Sequence, residues 1–310
     1  MFKLRHLQYF VTLAAERNFN RAAERLHIAQ PPLSRAIRHL EEEVGAPLID
    51  RSVRPLELTQ VGQLFLDQAR GLLDRAETMH SSLKTATRAG RTRFTMGFVA
   101  STIYARLPEL IRAFRAAAPD VDIRLVESST LDQISALKDG MIDVGFGRIR
   151  FEDPAIRRTV LRHEQLVAAL PAGHRLAARA TISLHDLRDE PLILYPREPR
   201  PSYADQVVSI LHDHGVEAQI AHEARELQTA IGLVAAEEGI AIVPESVRRA
   251  RTGDVVYREL AETATSPIIM SHRKGDRSAE LRIMAEVIAA NYALWGYDVP
   301  EFLLAPAGLD

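Results

Sequence analysis

FNRAAERLHIAQPPLSRAIRHLEEEVGAPLIDRSVRPLELTQVG, residues 19–62, encodes two short amphipathic helices in tandem. In the first, Ala22, Ala23 and Leu26 recur at helical spacing, and Asn20 is placed to cap the start. His27-Ile28-Ala29-Gln30 is a tight connection. Pro31 then opens the second helix, in a first turn where a missing N–H costs nothing. Leu33, Ile37, Leu40 and Val44 form its buried stripe. Ser34, Arg35 and Arg38 fall on the opposite side, and Gly45 stops the helix at a left-handed position. Two helices joined by a short turn, the second presenting polar and basic side chains near its start, match the helix-turn-helix geometry that enters a major groove. Residues 49–59, IDRSVRPLELT, read as a two-stranded wing. Its Arg51 and Arg54 suit phosphate oxygens or a narrow minor groove.

Outward from this segment, Leu4, Leu7, Phe10, Val11, Leu13 and Ala14 give a first helix that packs behind the pair. Thr59 is placed to cap a long helix reaching about Arg88. Along it Val61, Phe65, Leu72, Ala76, Met79, Leu83 and Ala86 recur in alternating steps of three and four, a heptad-like seam. One apolar seam on a long helix needs a partner, and the simplest is a second copy. A homodimer presents two recognition helices to two half-sites, so a roughly palindromic duplex is expected. Periodicity is lost over residues 87–92, which read as a hinge.

Beyond the hinge, strands and helices alternate. Strands are expected at 94–99, 121–127 and 142–147, with helices opening near Ser101 and at Thr130. A second unit carries strands at 165–170, 192–195 and 240–243, and helices at 204–214 and 227–238. A strand at 266–272 and a helix from 278 to 295 return to the first unit. Such alternation implies right-handed βαβ units in open, parallel-type sheets, here two small lobes facing across a cleft.

The chain has 310 residues, room for about two domains and a linker. It has no cysteine, which excludes disulfides, thiolate metal sites and cysteine nucleophiles and suits a cytoplasmic protein. No run is long and apolar enough to span a membrane, and MFKLRHLQYF is too charged for a secretory signal. The net charge of −2 gives no global attraction to nucleic acid. A local patch of Arg35, Arg38, Arg51 and Arg54 must supply it. Glu41-Glu42-Glu43, at the far end of the same helix, reads as a solvated face.

In open α/β sheets a ligand sits beyond the carboxyl ends of strands, where helix starts converge. Ser101 and Thr102 follow the first strand, Ser128-Ser129-Thr130 the second and Arg148 the third; Pro201-Ser202-Tyr203 stand ahead of a helix in the other lobe. Hydroxyls and free N–H groups at helix starts favour an anion. Donors on both lobes favour a dicarboxylate, although Ser101, Thr130 and Ser202 can equally be plain helix caps and Arg148 a surface partner of Glu152 and Asp153. Enzyme signals are thin. Gly145-Phe146-Gly147 lacks the third glycine of a dinucleotide loop, His212-Asp213-His214 does not share a helix face, and Glu164 and Asp186 show no partner. No catalytic residue, metal site or cofactor is expected.

The ordered series AAxxLxxxQPPLSRxIxxLExxxG, LxxR and LTxxG resembles the LysR-type transcriptional regulators. That resemblance implies a multidomain α+β chain: a winged helix-turn-helix at 1–58, a dimerising linker helix and hinge at 59–91, and a periplasmic-binding-protein-like effector domain at 92–310. Its lobes would comprise about 92–160 with 268–301, and about 161–267. Gln30, Pro31, Pro32, Ser34, Arg35, Arg38, Arg51 and Arg54 would face DNA, with Gln30 and Arg35 on base edges. Ala36 stands where many relatives have a longer polar side chain. The phrases FVASTIYARLPELIRAF, TLDQISALKDGMIDVGFGRIR, LYPREPRPSYAD and ELQTAIGLVAAEEGIAIVP look like the muconate-responsive regulators of catechol and benzoate degradation. This resemblance implies an activator, a tetramer built from dimers, RNA polymerase as a partner, and cis,cis-muconate held by Val99, Ser101, Thr102, Thr130, Arg148, Pro201, Ser202 and Tyr203. Ala100 replaces a glycine, and Tyr203 a phenylalanine, found in some relatives, which leaves chloromuconate or another ring-cleavage acid open. Arg162 matches a residue linked with a second, benzoate-type site in one branch, without an identifiable aromatic partner.

Overall fold

The computed structural model describes residues 2–53, 55–89, 92–250 and 253–304. It forms two compact units, Met1–Gly90 and Arg91–Asp310. In the first, α1 (Leu4–Glu16), α2 (Phe19–Arg25) and α3 (Gln30–Val44) are followed by a wing of β1 (Ile49–Asp50) and β2 (Glu57–Leu58), then α4 (Gln60–Ala89). Phe10, Leu33, Ile37 and Leu40 are fully buried at its centre. The cap of α2 is Asn18, not Asn20. Asn18 has extended backbone and its Oδ1 accepts from Asn20 N at 2.9 Å and Arg21 N at 3.1 Å, whereas Asn20 already lies inside the helix. Gly45 ends α3 at φ 77°, in the left-handed region that favours glycine.

The joint between wing and α4 explains the LTxxG spacing. Thr59 Oγ1 donates to Pro47 O at 2.7 Å and accepts from Gly62 N at 2.9 Å, so one hydroxyl serves the wing and the helix start together. Helix α4 then crosses so close to the wing that a Cβ on Gly62 would lie 2.0 Å from Leu48 O. Its inner face buries Leu66 and Ala69, while Val61, Leu64, Leu72 and Met79 of the opposite side stay exposed within the unit. The side chains of Leu83 and Ala86 and residues Gly90 and Arg91 of the expected hinge lie outside the described residues. The helix itself continues through Thr87 and Arg88 to Ala89.

The second unit opens with β3 (Arg93–Phe98), a 3-10 turn over Ala100–Ile103, α5 (Leu107–Ala117), β4 (Asp122–Glu127), α6 (Thr130–Lys138) and β5 (Val144–Gly147). The helix expected at Ser101 therefore begins later, because Arg106 takes a left-handed φ of 68° that separates the turn from α5. Strands β4, β3 and β5 are parallel, as right-handed crossovers require. The rest of the sheet is not. The 16-residue β6 (Ile156–Pro171) runs antiparallel to each of its partners, one later strand over Ile156–Gln165 and two others over Leu166–Pro171. After it come β7 (Thr181–Ile182), β8 (Pro191–Leu194), α7 (Tyr203–Asp213), β9 (Gln219–Glu223), α8 (Leu227–Ala235), β10 (Ala241–Pro244), β11 (Val255–Leu260), β12 (Thr265–Arg273) and α9 (Ala279–Leu294).

The order β4-β3-β5-β12-β6-β11-β7 makes one mixed sheet through both lobes, with β10 also on β6 and a separate parallel pair β8-β9. Two large cores sit along it, besides a small cluster of Ile134, Leu137, Ile142 and Ile156. One gathers Phe94, Met96, Phe114 and Met270 with α9; the other gathers Leu166–Leu170 with α7, α8 and β10. Strand β6 passes from one core to the other, giving Leu161 to the first and Leu166–Leu170 to the second, and its ladder with β12 shifts register between Ile268 and Ile269.

Candidate functional sites: a polar cavity and a basic helix face

Between the lobes lies a cavity of about 710 Å³, in the size range of small-molecule sites. Val99, Ser101, Thr130 and Arg148 line it from one lobe, and Pro201, Ser202 and Tyr203 from the other. Thr102 does not line it: the side chain is buried and Oγ1 donates to Val99 O at 2.7 Å, closing the 3-10 turn.

Arg148 organises the floor. It is 3% exposed, and its Nε donates to Ser101 Oγ at 2.7 Å. A second nitrogen, Nη2, donates to Glu164 Oε2 at 2.6 Å, while Nη1 is buried with no protein partner. The backbone N of Arg148 donates to Thr130 Oγ1 at 3.4 Å. Both hydroxyls thus accept from Arg148, which leaves their own protons to be donated into the cavity. Thr130 reaches the strand because position 147 is glycine: a Cβ there would meet Thr130 Oγ1 at 2.7 Å. Gln133 of α6 lies over Gly97 and Gly145 in the same way. The GFG triplet is a seat for a helix, not a phosphate loop.

Arg148 is not a surface partner of Glu152 or Asp153; its partner is Glu164, 4% exposed, on β6. The other carboxylate oxygen of Glu164 accepts from Ser246 N at 2.7 Å. Burial alone would raise the Glu164 carboxyl, but Arg148 and the Ser246 N–H outweigh it and hold it below the ordinary range. Asp186 likewise has partners, accepting from Arg179 at 2.9 Å and from Ser183 N at 3.0 Å. Ser202 is engaged as a cap: its Oγ donates to Pro196 O at 3.1 Å, and Asp205 accepts from its N at 2.6 Å. Tyr203 Oη donates to Ile242 O at 3.3 Å, and its ring lies 5.2 Å from that of Tyr195. Burial pushes both phenols up, so they stay neutral donors. Arg162 sits with its guanidinium 4.9 Å from the Tyr297 ring centre, the aromatic neighbour that the sequence left unidentified. Tyr195 and Gln228 line the cavity from the end of β8 and the start of α8, and Glu164 stands behind Arg148 without lining it; the sequence gives no local sign of any of the three.

On the first unit, Gln30, Pro31, Arg35 and Arg38 are exposed along α3, and Pro32 and Ser34 are half-buried beside them. Ala36 is buried, so it does not share that face. Arg51 is exposed but tied to Glu41 Oε2 at 2.6 Å. Glu41 is no mere solvated charge, since its Oε1 also accepts from Leu48 N at 3.1 Å and Ile49 N at 3.3 Å, fixing the start of the wing. Arg54 lies outside the described residues. Among the described residues no group of three or more metal-ligating side chains comes together, and no helix is long and apolar enough to cross a membrane.

Residues 4–63 match the family model "Bacterial regulatory helix-turn-helix protein, lysR family", and residues 87–293 match "LysR substrate binding domain". The chain is 47% identical over 292 residues to the probable cat1 operon transcriptional activator of Acinetobacter lwoffii, covering 94% of this chain and 96% of that one. It is 46% identical to the regulator CatR of Pseudomonas putida, covering 93% and 98%. Among solved structures, full-length BenM is similar at 41% identity, with a TM-score of 0.64 over 96% of this chain and 99% of that one. The LysR family regulator CbnR superposes with a TM-score of 0.76 at 31% identity, covering 92% and 98%. Recognition helix, wing, linker helix and two-lobed domain therefore occur in the order that this family uses, and the chain belongs to the LysR family of transcriptional regulators and is not an enzyme.

Proposed function

We propose that this regulator activates aromatic-compound catabolic genes of the catechol and benzoate type, and that a small dicarboxylate such as cis,cis-muconate switches it in the cytoplasm. The observation that carries the reading is the pair of hydroxyls, Ser101 and Thr130, that Arg148 turns into donors at one wall of the cavity. Facing them, α7 begins at Tyr203 with N–H groups that its helix cannot satisfy. Donors at both ends match a carboxylate at each end of a short ligand. The relatives named as cat-operon activator and CatR support the same pathway class. Val99, Ser101, Thr130, Arg148, Pro201, Ser202 and Tyr203 are the proposed contacts, with Thr102 shaping the turn beneath.

The ligand acts through its different affinity for two lobe arrangements. Residues 1–58 hold DNA, 59–91 pair two chains through the exposed α4 seam, and 92–310 bind the effector. Dimers pair again into tetramers on a roughly palindromic site. Ser101→Ala is expected to weaken cis,cis-muconate binding by about 3- to 10-fold, the worth of one hydrogen bond, and to leave unliganded DNA affinity unchanged. An identical calorimetric titration curve would remove Ser101 from the site. For the nucleic-acid face, Arg35→Ala is expected to cost about 1–3 kcal/mol at the cognate site and to relax base choice. Equal loss on cognate and random duplexes would exclude base reading by Arg35.

A further inference from the structure

The 3-10 turn that carries Ser101 ends at Tyr104, and Tyr104 is not among the residues lining the cavity. Its ring leaves its own lobe and packs against the core of the other, as a half-buried neighbour of the cluster around α7 and α8. Two donors from that lobe converge on it. Gln228 Nε2, in the first turn of α8, donates to Tyr104 Oη at 3.4 Å. Arg249 Nη1, at the end of the 3-10 turn Glu245–Arg249, donates to Tyr104 O at 3.4 Å. Both contacts end at functional places. Gln228 lines the cavity beside Arg225 and Leu227, and the turn that carries Arg249 also contains Ser246, whose N–H donates to Glu164.

We infer that Tyr104 is a positioning residue: it spans the cleft, fixes the first turn of α8 before any effector arrives, and so sets effector affinity without touching the effector. The physics is pre-organisation. Residues in the opening turn of a helix have few intrahelical bonds, so an unheld turn must be ordered when ligand binds, at the expense of affinity. Oη accepting from Gln228 leaves the phenol proton free, and the ring holds the gap by apolar packing even when the weak hydrogen bond breaks. Removal of the hydroxyl and removal of the ring should therefore act in steps.

The inference rests on the proposed effector site for its affinity arm only. Hydrogen exchange of the full-length, unliganded protein tests it independently. Peptides covering 225–235 should exchange about 3-fold faster in Tyr104→Phe and about 10-fold faster in Tyr104→Ala, with peptides from α9 unchanged. A Tyr104→Phe/Gln228→Leu double variant should exchange no faster than the faster single variant, because both remove one contact. With cis,cis-muconate as probe, calorimetric Kd should rise about 3-fold for Tyr104→Phe and by a similar step for Arg249→Ala. If wild type fails to bind muconate, the ligand assignment falls and the exchange result still decides the role of Tyr104. Unchanged exchange in Tyr104→Phe and Arg249→Ala, additive effects in the double variant, or tighter muconate binding would each overturn the inference. Tyr104→Phe and Arg249→Ala keep the test open if Tyr104→Ala does not fold.

Discussion

Glu164→Ala is expected to destabilise the effector unit by about 3–5 kcal/mol, because it strands the Arg148 guanidinium in the interior without a counter-charge. Both side chains are almost wholly buried, and Glu164 also holds the Ser246 N–H that no longer has an acceptor once the carboxylate is gone. Trp295 is the single tryptophan of the chain and stands at the end of α9 in this unit, so urea unfolding followed by its fluorescence isolates the effect. A loss below about 1 kcal/mol would show that Arg148 relaxes to solvent and that the buried pair is not holding the floor. The pH dependence has a definite sign. The folded carboxyl lies below its ordinary value of 4.5, so its contribution is present in full above that value and is lost as pH falls through the lower folded value. Wild type minus Glu164→Gln should accordingly be largest at neutral pH and shrink in acid. The same substitution should blunt any effector response, since Ser101 is oriented by the arginine that Glu164 fixes.

The second large effect belongs to Gly62→Ala. One methyl group placed 2.0 Å from a backbone carbonyl cannot be absorbed by a rotamer change, so α4 and the wing must move apart. Overpacking of this kind costs about 1–3 kcal/mol, and a rigid backbone neighbour puts the value at the upper end. Displacing the wing also moves Arg51, so duplex affinity should fall together with the thermal midpoint of the first unit. Fluorescence anisotropy with a labelled duplex and calorimetry of the same sample measure both. Unchanged affinity with a lowered midpoint would separate wing position from DNA binding.

Much of this was legible in the residues, and what was not has physical causes. Apolar stripes and the left-handed Gly45 are local, so α1 to α4 followed from spacing, although the cap of α2 fell on Asn18 and not on Asn20. The effector-unit helices followed for the same reason, with the cap of α6 displaced by one residue: Ser129, whose Oγ accepts from Asp132 N, caps the helix, and Thr130 is its first residue. Strand direction was another matter. Alternating β and α segments imply parallel pairing, yet β6 pairs antiparallel with β12, β10 and β11. Its first half, IRRTVLRHE, carries four arginine or histidine positions and hid a strand that continues without a break. For the cavity, Ser101, Thr130 and Arg148 each followed a strand end, a position that topology marks. Glu164 and Gln228 follow no such rule, since a carboxylate 16 residues after Arg148 meets it only because β6 lies one strand away from β5, across β12.

The passage of β6 from one core to the other, paired with β12 over Ile156–Gln165, ties the two lobes together. Paired strands resist stretching and sideways shear, and the ladder between them is locally interrupted only at the register shift beside Ile268 and Ile269. Any change in how the two lobes face each other must therefore be carried by paired strands and their register, and not by a slack tether.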